Sequence, residues 1–166
     1  MLTTDSVQKR EFELLVKEYQ KLVRFEVRYK TDSTFMYMLN GLVKWFCPTF
    51  MADYTTIIGN KVYFPSPKFI VQDSERAMRI LAHEVVHLLD QQKWSKPLFV
   101  FAYLFPQILA LGVFSFPWLG WWALLFLIFL APLPSFTRIY FETRAYAINL
   151  HTASPSSRSR ILKASA

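Results

Sequence analysis

This 166-residue chain predicts a mainly α-helical fold carrying a small β-hairpin or sheet and an inserted apolar helical hairpin, on three observations. Residues 74–90 form a helix-compatible stretch with no breaker inside it. Residues 54–58 and 61–64 are runs of β-branched and aromatic side chains on either side of Gly59-Asn60. Residues 97–137 contain no charge and are dense in Leu, Phe, Trp and Ile. The length suits one domain, 1–166, elaborated at 97–137, and no internal repeat or extended low-complexity tract is visible.

Taken in order, Phe12, Leu15, Val16, Tyr19, Leu22 and Val23 recur at helical spacing among Lys, Arg and Glu, which predicts an amphipathic helix over 5–27. A second short helix is expected over 33–45, with Phe35, Met38, Leu39 and Leu42 facing inward and Pro48 after its end. The two runs of β-branched and aromatic residues around Gly59-Asn60 read as a hairpin. A further helix is expected around 140–147, after the apolar region. The polar, basic segment 153–166 reads as a flexible tail.

Within 74–90 the chain reads His83-Glu84-Val85-Val86-His87. Side chains at i and i+4 of a helix lie one above the other, so both imidazoles can reach one ion. This is the H-E-x-x-H pattern of zinc peptidases, in which the glutamate acts on a zinc-bound water. A chance match is expected on the order of once in several hundred chains of this composition. The apolar flanks Ile80, Leu81, Ala82, Leu88 and Leu89 suit a ligand helix packed on a core. A catalytic zinc has three protein ligands and one open position. Cys47, His151 and Glu142 can each be considered for the third, and Glu142 is preferred as the only acidic residue after Asp90.

The uncharged stretch has room for two apolar helices, near 98–116 and 118–131, which read as membrane-inserted. If His83 and His87 before it share an ion with Glu142 after it, the chain must return to the side it left. A single span is thereby excluded, while a full two-helix hairpin and a re-entrant loop both remain. Pro117, Gly120 and the tryptophans at 118, 121 and 122 mark the reversal, and Pro106 is placed to kink the first arm. Lys93 and Lys96 on one flank and Arg138 and Arg144 on the other favour a cytoplasmic catalytic side. The alternative is a hairpin buried inside an oligomer or larger assembly. The net charge of +7 is spread along the chain, so anionic lipid is the expected partner and no specific nucleic acid is. The amino-terminal residues carry no apolar signal segment, and one cysteine allows no internal disulfide.

With these residues in view, the chain resembles the gluzincins, zinc peptidases with H-E-x-x-H on one helix and a glutamate on a later one. More narrowly, the arrangement is similar to that of integral-membrane gluzincins, in which membrane helices can separate the two. His83-Glu84-Val85-Val86-His87, the apolar hairpin and Glu142-Thr143-Arg144-Ala145 follow that order over about half of the chain. Two features depart: Tyr146 stands where the family has an acidic residue, and the family's amino-terminal membrane helices have no counterpart. The resemblance implies a zincin-like core and a zinc ion held by His83, His87 and Glu142. It also implies Glu84 as general base and an oxyanion donor among Tyr146, Tyr140, Arg144 and His151. His151 is favoured as the analogue of the family's His or Tyr donor.

The expected function is that of a membrane-associated zinc endopeptidase acting on a peptide or protein substrate. In zinc peptidases an edge strand above the metal helix binds extended substrate by strand addition, and either strand of the hairpin is available for that role. The alternative is a non-catalytic membrane or particle-assembly component that keeps a structural zinc site.

Overall fold

A computed structural model describes residues 4–131 and 135–151; the expected tail at 153–166 lies outside the described residues. The fold is mainly helical with a three-stranded sheet. Helix α1 (Thr4–Gln20) buries Phe12, Leu15 and Tyr19, spaced to share one face. It stops before the Val27 limit that helical spacing suggests. Gln20 donates from Nε2 to the Phe25 carbonyl at 3.0 Å across the turn, and Glu26–Tyr29 forms strand β1. The signal for β1 is the alternation Arg24, Phe25, Glu26, Val27, Arg28, Tyr29, in which every second residue is polar and exposed.

Strands β2 (Thr56–Ile58) and β3 (Lys61–Phe64) form the expected hairpin, with Gly59 at φ 62° in the turn. The sheet order is β1-β3-β2: β3 is central, antiparallel to β2 and parallel to β1 with Val62 opposite Val27. Val62 and Phe64 are fully buried against Phe12 and the metal-motif helix, so the sheet is sealed on one face. Beta2 and β1 are both edges.

Helix α2 (Thr34–Val43) begins at Ser33, whose Oγ accepts from the Met36 amide. Of the residues expected to face inward only Leu39 does so. Met36 is the buried residue, with Leu39 and Val43 packed partly beside Phe50 and Tyr63, while Phe35, Met38 and Leu42 are exposed. The helix is apolar on nearly every side, so periodicity alone could not select the face that the sheet would cover. Lys30 is fully buried beneath this unit. Its Nζ donates to the Phe50 carbonyl at 2.7 Å and sits 3.6 Å over the Phe50 ring, tying the 46–53 loop to the end of β1.

Short α3 (Pro67–Gln72) starts with proline in its first turn behind the Ser66 cap, and leads into α4 (Ser74–Trp94), capped by Asp73 Oδ1 on the Arg76 amide at 3.0 Å. Helix α4 buries Ala77, Met78, Leu81, Ala82, Val85, Val86 and Leu88. The chain turns at Ser95 and enters α5 (Lys96–Leu104), so the expected first apolar helix is broken at Pro106. Two 3-10 arms follow, Gln107–Ser115 and Gly120–Leu130, joined by the short α6 (Phe116–Leu119) and packed on each other. Ala110 and Ala123 are buried between the arms, and a Cβ on Gly112 would run into the Phe126 ring. Helix α7 (Phe136–His151) returns and packs on α4 and α5 through Phe141 and Ala145.

Three interactions set the register of this helical layer. Phe99 and Phe141 meet with centroids 4.8 Å apart, and Trp94 meets Phe141 at 5.7 Å. Asp90, 1 % exposed, receives a hydrogen-bonded ion pair from Arg144 Nη1. Burial pushes the Asp90 carboxyl up, against the pull of the Arg144 guanidinium and Lys93.

Removing one partner of a buried ion pair costs about 3–5 kcal/mol because the other charge is stranded. Arg144→Ala is therefore expected to lower stability by about 3 kcal/mol, measured by thermal unfolding in detergent. Asp90→Asn combined with Arg144→Met should recover most of the loss. Burial also holds the Lys30 ammonium down to about 8, so between pH 8 and 10 the unfolded chain binds more protons than the folded one. Wild-type stability should rise over that interval, and in Lys30→Met the rise should disappear.

Candidate metal centre

His83 and His87 project from successive turns of α4, ring centroids 4.8 Å apart and edge to face at 85°. Their Nε2 atoms are 3.2 Å apart. From α7, Glu142 places Oε2 at 3.3 Å from His83 Nε2 and Oε1 at 3.7 Å from His87 Nε2. Zinc–nitrogen bonds of 2.0–2.1 Å at tetrahedral angles put neighbouring donors roughly 3.3 Å apart. Two of the separations, 3.2 and 3.3 Å, are close to that edge length and the third, to the other carboxylate oxygen, is longer at 3.7 Å, so two nitrogens and one carboxylate converge on one point. Among the described residues this is the one cluster of three such groups.

The electrostatics suit a cation. Burial, reinforced by His83, holds His87 down to about 4, against the pull of Glu142. The ring is neutral at neutral pH. The hydrogen bond with His83 and a second from Tyr103 hold Glu142 at about 2, so it is ionised. Glu84 faces the same cleft; burial pushes its carboxyl up to about 7, with His83 opposing and Glu142 reinforcing. Both imidazole Nδ1 atoms are buried without a hydrogen-bond partner among the described residues. The orienting contact that metal-binding histidines normally make on that nitrogen is therefore absent from the described side chains, in keeping with Tyr146 in the position of the expected acid.

The cleft, of about 400 Å³, has Thr55, Thr56 and Ile57 of the β2 edge on one wall and Phe99, Val100, Tyr103 and Leu104 of α5 on another. A second hollow shares Thr55, His83 and Glu84 and continues past Asp53, Arg76, Arg79 and Tyr146. The two form one groove running past the paired histidines. Of the two hairpin strands, β2 is the one with a free edge at the groove.

Of the remaining sequence-derived candidates, Tyr146 stands beside His83. Tyr146 is 59 % exposed, with its ring 4.7 Å from His83. Arg144 is committed to Asp90 instead of facing the groove, and Tyr140 is exposed against Phe141. His151 ends α7, nine residues after Glu142, which is about 13 Å along a helix axis. Its side chain lies outside the described residues. Cys47 packs beside the separate Met36–Phe50–Tyr63 cluster.

Two residues of the site escaped sequence reasoning. Tyr103 donates its hydroxyl to Glu142 Oε1, its ring lies 5.7 Å from His87, and the Arg138 guanidinium sits 5.3 Å over it. The available signal was that Tyr103 carries the only hydroxyl between Ser95 and Ser115. Asp90, one turn beyond His87, was read only as the end of the helix. It holds Arg144, two residues beyond Glu142, and so fixes the helix bearing the third candidate ligand against the one bearing the first two.

If these three side chains are the ligand set, zinc should protect the folded chain against heat and a chelator should reverse the effect. With free zinc at about a hundred times its dissociation constant the stabilisation is about 2.7 kcal/mol. Glu142→Ala should abolish this protection, measured by elemental analysis and thermal unfolding on the same samples. The chain matches no protein-family model, no curated protein and no solved structure at a significant level.

Proposed function

We propose that this chain is a membrane-associated, zinc-dependent endopeptidase with a zincin-like core. The observation that carries the reading is the convergence of His83, His87 and Glu142 from separate helices, in a groove that also presents Glu84 and the free edge of β2. Zinc held there by the three side chains would acidify a water and polarise a scissile carbonyl.

Each protein group then has a part. Glu84 takes the proton from the attacking water and passes it to the leaving amine. The β2 edge pairs with an extended substrate through backbone hydrogen bonds, which makes binding tolerant of sequence. Tyr103 steadies Glu142 by donating to Oε1. Of the side chains considered as oxyanion donors, Tyr146 is the one that stands beside His83 in the groove.

The apolar segment supplies the membrane association. Its exposed surface includes Leu111, Phe114, Trp118, Trp121, Trp122, Leu125, Ile128 and Leu130, far more apolar area than a soluble monomer presents. At about 2.0 Å per residue the 3-10 arms are about 18 and 22 Å long, short of a hydrocarbon core of about 30 Å. That length favours a re-entrant hairpin in one leaflet over a full span. Lys93, Lys96 and Arg138 at its base support an orientation with the groove on the cytoplasmic side.

A structural metal clip without catalysis is the competing reading, favoured by the two unpartnered Nδ1 atoms. Glu84→Gln separates the two. A catalytic site should lose about 100-fold or more in kcat on a quenched-fluorescence peptide while keeping its zinc content and melting temperature. A wild-type chain that holds zinc yet cleaves no casein or peptide library would leave the structural clip as the surviving reading.

A further inference from the structure

Helix α2 and the turn after it leave a large apolar face uncovered. Phe35 is 55 % exposed, Met38 70 %, Leu42 75 %, Trp45 82 % and Phe46 92 %. Residues 35, 38, 42 and 45 are spaced to form one stripe, and α2 itself contains no charged residue. The opposite side of the helix is already used, since Met36, Leu39 and Val43 pack on Phe50 and Tyr63. The stripe is therefore not a core face in the wrong place. It is a second apolar side on a helix that already has its core contact.

We propose that this face lies in the plane of a lipid bilayer, as a second membrane contact beside the apolar hairpin. The inference rests on the membrane-associated reading given above. Three observations select lipid as the occupant. First, the face is continuous with the base of the hairpin: Phe35 shares a hollow with Ile58, Gly59 and Asn60, and Asn60 Oδ1 accepts from Lys96 Nζ at the start of α5. Both apolar elements thus flank the same β-turn. Second, the surround is that of a bilayer interface. Trp45 follows Lys44, and Arg24 and Lys61 line the hollow at the Phe35 end, with Glu26 the single acid there. Tryptophan and lysine at the rim of an apolar face match the headgroup layer and its anionic lipids. Third, arms of about 18–22 Å enter one leaflet only, and a single shallow anchor holds a protein weakly and lets it swing. A second contact fixes the plane. With α5 on one side and α2 on the other, β2 and the groove beneath it are then held down toward the membrane surface.

The test uses the full chain with a nitrobenzoxadiazole fluorophore on Phe46→Cys in a Cys47→Ser background, mixed with phosphatidylcholine–phosphatidylglycerol vesicles. Position 46 is almost fully exposed, so the label does not disturb the core. The expected result is a blue-shifted probe, quenched by nitroxides near the headgroups more than by nitroxides at the bilayer centre. Met38→Glu combined with Leu42→Glu and Phe46→Glu should weaken flotation with vesicles by about tenfold or more. Zinc content in detergent should be unchanged in that variant. If the wild type floats while the probe stays in water and the triple variant floats equally well, this proposal fails and the hairpin alone anchors the chain. A wild type that does not float at all removes the membrane reading together with this one. A probe already buried without lipid, in a sample that sediments as a dimer, assigns the face to a second copy and overturns lipid as its occupant.

Discussion

The contact between α4 and α7 is the constraint on which the rest of the structure depends. One helix carries His83 and His87 and the other carries Glu142, and the spacing among the three is meaningful only while the helices keep one register. Phe141 and Ala145 supply the apolar part of that contact. Asp90 and Arg144 supply a directional part, because a buried carboxylate that finds its guanidinium in one position has no comparable partner a turn away. An apolar interface alone could slide by one turn at modest cost, whereas sliding this one would strand a charge.

The sheet has a subordinate but related purpose. Beta3 is buried in the centre and turns one face of the sheet onto α1 and α4, which leaves β2 as an edge beside the histidines. The loop that leads into β2 is tethered by Lys30, a fully buried cation whose ammonium is met by one carbonyl and one aromatic face. This is an expensive way to hold a loop, since desolvation of the ammonium opposes it. What it secures is the path from Phe50 through Asp53 to Thr55, the segment that walls the groove.

Apolar exposure is distributed in a way that a water-soluble fold does not require. The hairpin beyond Pro106 packs mostly on itself, and its outer surface is aromatic and aliphatic. The helix before it, α5, belongs to the site: Phe99, Val100, Tyr103 and Leu104 are groove wall, and Tyr103 reaches Glu142, the third candidate ligand. The segment read as a membrane element and the candidate metal centre therefore share a helix.

Much of this protein was legible in the sequence because the signals were local. His83, Glu84 and His87 are bound together by helical spacing, Gly59-Asn60 marks its own turn, and the absence of charge over 97–137 needs no tertiary context. Glu142 could be singled out by scarcity, as the only acid left after Asp90. Other features depended on what each segment met in space. The end of α1 and the existence of β1 were settled by β3, which offered a parallel partner to an alternating run that helical spacing had absorbed. Which side of α2 became core was decided by Phe50 and Tyr63, because a helix apolar all round carries no preference of its own. Tyr103 and Asp90 entered the site through contacts across the fold, and such contacts leave no periodic trace in a chain. Spacing and composition thus determined the elements and the first two candidate ligands, while the packing of α4, α5 and α7 decided which distant side chains would stand beside them.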